Sequence, residues 1–242
     1  MRSSSDLRFI ARRALTGRWG VAIGSSIVAS LLGGIYSANI NFNFNFSDNE
    51  TAGNSVFSWF SNLTGSQMVF LGAAGAFLLN MALVFSIARL FIGSIVGIGY
   101  ARFNLDLVDN VTEARFATLF SYMRFWKVAI ITRIVRTLYI VLWTLLFIIP
   151  GIIASYNYAL TDYILAENPE LTTKEALELS KKMMYGHRFR LFCLEFSFIG
   201  WAFLCVLSLG IGLIWLLPYT EAAKAAFYRD VSFQYNNPVT NI

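Results

Sequence analysis

The stretch Val128–Ala166, VAIITRIVRTLYIVLWTLLFIIPGIIASYNYALTDYILA, decides how the chain is laid out. It is predominantly apolar, with Arg133, Arg136 and Asp162 its only charged residues, yet longer than the roughly 20 residues that cross a bilayer. Read as one kinked helix, it would put the five positive charges between Glu167 and Arg190 on the opposite side from the other basic clusters. Read as a tight hairpin broken at Ile149-Pro150-Gly151, it returns them to the same side. Proline removes a backbone donor and glycine permits a sharp turn, so the hairpin is preferred.

The same logic extends outward. Sixteen of the 19 Lys and Arg residues fall in four stretches that alternate with apolar segments, and none lies in the polar loop 39–66. Positive residues flank the cytoplasmic ends of spans. Leu191–Tyr228 is accordingly a second hairpin, broken at Leu209-Gly210-Ile211-Gly212. Trp19–Ala38 reads as a retained first helix, because the run is long for a signal-peptide core and Tyr36-Ser37-Ala38 is a poor cleavage site. Met68–Phe103 reads as one tilted helix with a stem projecting outward. The expected fold is an all-α membrane protein and a single domain over 1–242. It has six transmembrane helices in three hairpins, near 19–38, 68–102, 128–149, 151–166, 191–208 and 211–229, with both termini cytoplasmic.

Composition agrees: 57% of residues are hydrophobic, 14% charged, and the mean hydropathy is +0.58, too little polar surface to cover a soluble globule. The pI near 9.3 points to anionic headgroups and not nucleic acid, since the basic residues hug apolar segments. Cys193 and Cys205, twelve residues apart in one apolar segment, read as inert thiols.

Two short amphipathic helices are expected on the cytoplasmic side. Over 172–185, Thr172 and Glu175 have capping-box spacing and Gly186 follows the last turn. Over 5–17, Leu7, Ile10, Ala11 and Ala14 oppose Arg8, Arg12 and Arg13. Outside, residues 39–46 alternate Asn or Ile with Phe, a strand or interfacial pattern. Asn49-Glu50-Thr51 and Asn62-Leu63-Thr64 match the glycosylation pattern, which is short enough to arise by chance.

Small residues at fourfold spacing, Ala22, Ser26, Ser30 and Gly34 in the first helix and Ala82, Ser86, Gly93 and Gly97 in the second, offer faces for close helix approach. Arg89 shares the second face and is expected to point into the bundle. An intramembrane arginine needs a partner, and Asp162, Glu195 and Glu221 are the available acids; these four form the candidate intramembrane charge cluster. Arg12, Arg13, Arg133, Arg136, Lys181, Lys182, Arg188 and Arg190 are candidate headgroup contacts, with Arg133 and Arg136 snorkelling. His187 stands alone, with no His-Glu-x-x-His, paired-cysteine or phosphate-cradling glycine motif. Neither catalytic residue nor metal nor cofactor site is therefore expected.

One combination of residues is specific enough to carry a resemblance. Ile148-Ile149-Pro150-Gly151-Ile152-Ile153-Ala154, Tyr163 through Pro169, Ser180-Lys181-x-Met183-Met184-x-Gly186, Ser197 through Trp201, Pro218-Tyr219 and Ala226-Phe227-Tyr228 resemble the bacterial membrane family called domain of unknown function 975. The resemblance runs through most of the chain after Trp126 and excludes the loop 39–66. It implies an integral membrane protein without an established activity, distantly similar to the membrane domain of some glycerophosphodiester phosphodiesterases, and it transfers no catalytic residue. Together these readings predict a non-enzymatic module of the bacterial plasma membrane that binds anionic inner-leaflet lipid, a partner membrane protein or a second copy of itself. The alternative is a transporter or lipid-moving protein that uses the buried arginine and acids.

Overall fold

The computed structural model describes residues 2–35, 65–109, 116–208 and 210–237. The Asn/Phe alternation at 39–46, both glycosylation patterns and Leu209 lie outside them. All regular structure among the described residues is helical: α1 Ser4–Leu15, α2 Trp19–Leu31, α3 Gly65–Val108, 3₁₀ turns over Phe116–Phe125, α4 Trp126–Leu146, α5 Ile148–Asn157, α6 Thr161–Glu167, α7 Thr173–Met183, α8 Arg188–Leu207 and α9 Leu213–Asn236. The chain divides into one unit of residues 1–35 and 90–242 and another of residues 36–89. In the second unit, α3 exposes Phe77, Leu78, Leu79, Leu83 and Phe85.

Among the described residues, three helical stretches are long and apolar enough to cross a membrane: Gly72–Val108, the continuous Phe116–Leu146, and Arg188–Leu207. The expected first span is not among them, because α2 stops at Leu31 and Gly33 takes a left-handed φ of 78°. Thirteen residues reach only about 20 Å, short of a hydrocarbon core of roughly 30 Å. Arg133 fastens this stop by donating from Nη2 to the Gly33 carbonyl at 2.8 Å.

Other boundaries also move. The hairpin break falls at Phe147, whose φ and ψ are extended at −156° and 144°, two residues before the expected turn began to bend. Pro150 then occupies the first turn of α5, where a missing N–H leaves nothing unpaired. Gly151 lets α4 close in: a Cβ there would lie 2.1 Å from Thr144 Oγ1. The expected helix 151–166 is interrupted at 158–160. In a continuous helix the Asn157 carbonyl would take the N–H of Thr161. Instead it accepts the Ser180 hydroxyl at 2.8 Å, and the Thr161 N–H turns to the Tyr158 carbonyl.

The last hairpin turns where expected. Gly210, at φ 83°, donates to the Cys205 carbonyl and lets α9 start three residues later. That helix is the core of the first unit. Ala222, Ala223, Ala225, Ala226 and Phe227 are all fully buried, and α9 packs against α1, α2, α7 and α8. Alanines on adjacent faces let several helices approach one backbone. α1 covers it with Leu7, Ala11, Ala14 and Leu15, and is capped by reciprocal Ser3–Asp6 bonds. α7 has the predicted Thr172–Glu175 capping box, and Gly186 has the predicted left-handed φ, 79°. The small-residue faces also meet: a Cβ on Gly93 would lie 2.5 Å from the Gly33 carbonyl oxygen, and one on Gly97 would lie 3.0 Å from that of Gly34.

Candidate functional site

The polar residues of the first unit gather in three places, two along α9 and one between α4 and α6. Along α9, Glu221 and Lys224 lie one turn apart and pair at 3.3 Å. Packing of α8 brings Glu195 to the same ammonium at 3.4 Å, and Tyr156 of α5 donates its hydroxyl to the other Glu195 oxygen at 2.8 Å. One cation thus holds two carboxylates. Tyr163, stacked on Tyr228, points its hydroxyl at the Glu221 carbonyl.

Asp162 is engaged elsewhere. Arg136 donates to it at 3.0 Å and is only 5% exposed, so this arginine is an interior ion-pair partner where a snorkelling headgroup contact was expected. Arg133 is half-buried on the Gly33 carbonyl and is likewise spent inside the protein. Of the four residues expected to cluster, Glu195 and Glu221 are together, Asp162 belongs to Arg136, and Arg89 lies in the unit 36–89, where it is exposed.

The third place is at the end of α9. Arg229 bridges Asp109 and Glu167, and the Tyr228 hydroxyl donates to Glu167 as well. Asp230 accepts from Arg190 at 2.5 Å and from Gln234 at 2.8 Å, while Arg190 also donates to the Arg2 carbonyl. Arg190 is therefore a tie between α8, α9 and the N-terminus. Around this end the side chains of Arg12, Arg13, Lys181 and Lys182 are exposed, with Arg188 half-buried and lying over the Tyr185 ring. Phe9, Tyr185, Phe189 and Phe233 are exposed among them. Glu167, Asp109, Asp230 and Tyr156 were not singled out in sequence; their ion-pair and tyrosine partners lie 39 or more residues away along the chain, too far for spacing to reveal them.

Arg190 Nη1 donates to His187 Nδ1 at 3.2 Å. Burial first, then the Arg190 guanidinium, holds its pKa below the ordinary 6.5, against an opposing pull from Asp230. A depressed pKa means that the folded chain prefers neutral imidazole. Its stabilising contribution is complete above about 6.5 and is lost as pH falls through the lower folded value. An NMR titration of this single histidine should give a midpoint below 6.5, and one at or above that value would contradict the Arg190 contact.

Residues 145–234 match the family model described as "Protein of unknown function (DUF975)". No curated protein and no solved structure matches the chain. The matching segment runs from the end of α4 to the last turns of α9 and contains every residue of the Lys224 group.

Proposed function

We propose that this chain, whose residues 145–234 are DUF975 sequence, is a non-enzymatic module of a bacterial cytoplasmic membrane that binds anionic lipid at its basic end. The observation that carries the reading is the arrangement of α1 and α7. Each buries one apolar face in the protein and leaves Arg12 and Arg13, or Lys181 and Lys182, exposed, and Phe9 within α1 and Tyr185 just after α7 are exposed as well. Aromatic and basic residues in one band suit the headgroup level of a bilayer. That end would face the anionic inner leaflet, where each Lys or Arg near the surface contributes about 1 kcal/mol of attraction.

The test is lipid composition. Wild-type chain in nanodiscs of phosphatidylcholine with a minority of phosphatidylglycerol, then extracted with its lipid shell, should carry phosphatidylglycerol enriched by at least about threefold over the bulk. Neutralising Arg12, Lys181 and Lys182 together to Gln should return the shell to bulk composition. A wild-type shell already at bulk composition would reject the reading.

A transporter or lipid-moving protein is the second reading, favoured by the Lys224 group, since ionisable residues among membrane helices mark solute pathways as well as structural pairs. Lipid scrambling or solute flux in the same proteoliposomes, lost in Lys224→Met, would move the assignment there.

A further inference from the structure

A cleft of about 680 Å³ opens between the second half of α1, the end of α3 and the last turns of α9. Its volume falls in the range of small-molecule sites. Its lining mixes the apolar Phe9, Ile10, Val108 and Phe233 with the charged Arg2, Arg13, Arg229, Asp109 and Asp230, a net charge of +1 from three cations and two anions.

The distribution of that charge matters more than its sum. Asp109 is held by Arg229, and Asp230 by Arg190 and Gln234. Both carboxylates are thus neutralised by partners other than the side chains of Arg2 and Arg13. Those two are exposed and make no ion pair among the described residues. Each guanidinium is a fork of N–H donors that matches two phosphate oxygens. Inorganic phosphate has no use for the apolar part of the lining, whereas a glycerophosphate ester presents both an anion and a hydrocarbon stem. Phe9 and Phe233, 66% and 69% exposed, are poorly placed for water and well placed for such a stem.

Resting on the membrane reading above, we infer that this cleft holds one anionic glycerophospholipid by its phosphate, on Arg2 and Arg13, with Phe9 and Phe233 against its glycerol and upper acyl carbons. This is a single specific site, distinct from a general enrichment of anionic lipid around the protein.

Native mass spectrometry of the full chain released from phosphatidylcholine–phosphatidylglycerol nanodiscs tests it. Wild type should retain one phosphatidylglycerol per chain after the shell is stripped. Removing each arginine's charge-assisted bonds should weaken retention by roughly tenfold, so Arg2→Gln with Arg13→Gln should lose the adduct. Lys181→Gln with Lys182→Gln, outside the cleft, should keep it. Arg2→Lys with Arg13→Lys preserves charge without the fork and should retain an intermediate fraction; helical circular dichroism and monodisperse elution verify that each variant is folded. Retention unchanged in the folded Arg→Gln pair would overturn the inference, as would displacement of the lipid by excess inorganic phosphate. An enriched shell without a one-to-one adduct would overturn it while leaving the membrane reading intact. A shell at bulk composition would remove both.

Discussion

Lys224→Met is expected to destabilise the protein by about 3 kcal/mol, the lower end of what is lost when one partner leaves a buried charge group. The lysine joins Glu195 and Glu221 at 3.4 and 3.3 Å, and its own side chain is 24% exposed. Without it, two carboxylates on adjacent helices face each other with no cation between them. Glu195 keeps the Tyr156 hydroxyl, but one neutral donor does not offset a second negative charge. Methionine preserves the volume of the lysine stem, so the loss reports charge and not a cavity. Combining Lys224→Met with Glu195→Gln and Glu221→Gln should recover most of the stability, because a neutral set no longer carries an uncompensated charge. Unfolding followed by tryptophan fluorescence in one micelle system would measure all forms. A single variant as stable as wild type, or a triple variant no better than the single, would show that Lys224 does not hold these helices together.

The parts of this fold that were legible in the sequence are those governed by local rules. The caps of α1 and α7 sit next to the helices they start, and Gly186 and Gly210 occupy turns that need a left-handed residue. Helix ends inside apolar runs were not legible. Hydropathy continues from Trp19 to Ala38, but α2 stops at Leu31 because Gly33 reverses the backbone and Arg133, a hundred residues away, takes its carbonyl. The break after Asn157 is likewise set from outside, by the Ser180 hydroxyl. The charge site was half legible for the same reason. Spacing along one helix relates Glu221 to Lys224, yet nothing in spacing brings Glu195 to them, or Asp109 and Glu167 to Arg229. Arg89 was expected to take its partner from Asp162, Glu195 and Glu221; which cation serves Asp162 is a property of packing, and Arg136 does so.

Gly99→Val should be about as costly, near 3 kcal/mol and at the upper end of overpacking effects. A Cβ at Gly99 would lie 2.3 Å from the Leu119 carbonyl oxygen and 2.6 Å from its carbon. These are backbone atoms of the 3₁₀ turns, whose Leu119 is fully buried, so no side chain can rotate aside to make room. Gly72→Val in the same helix is the matched control: nothing lies within 4 Å of its Cβ position, and replacing a helical glycine is neutral or mildly favourable. Thermal unfolding of the two variants in one micelle should therefore separate them, and equal midpoints would refute the close approach at Gly99. The displacement would also reach the polar end of the bundle. α3 continues from Gly99 through Arg102 and Asp106, which pair at 3.0 Å, to Asp109 on Arg229. If the larger residue pushes α3 away from the 3₁₀ turns, the Asp109–Arg229 contact and the cleft beside it should loosen together, so the folded fraction of Gly99→Val should retain less phosphatidylglycerol than Gly72→Val.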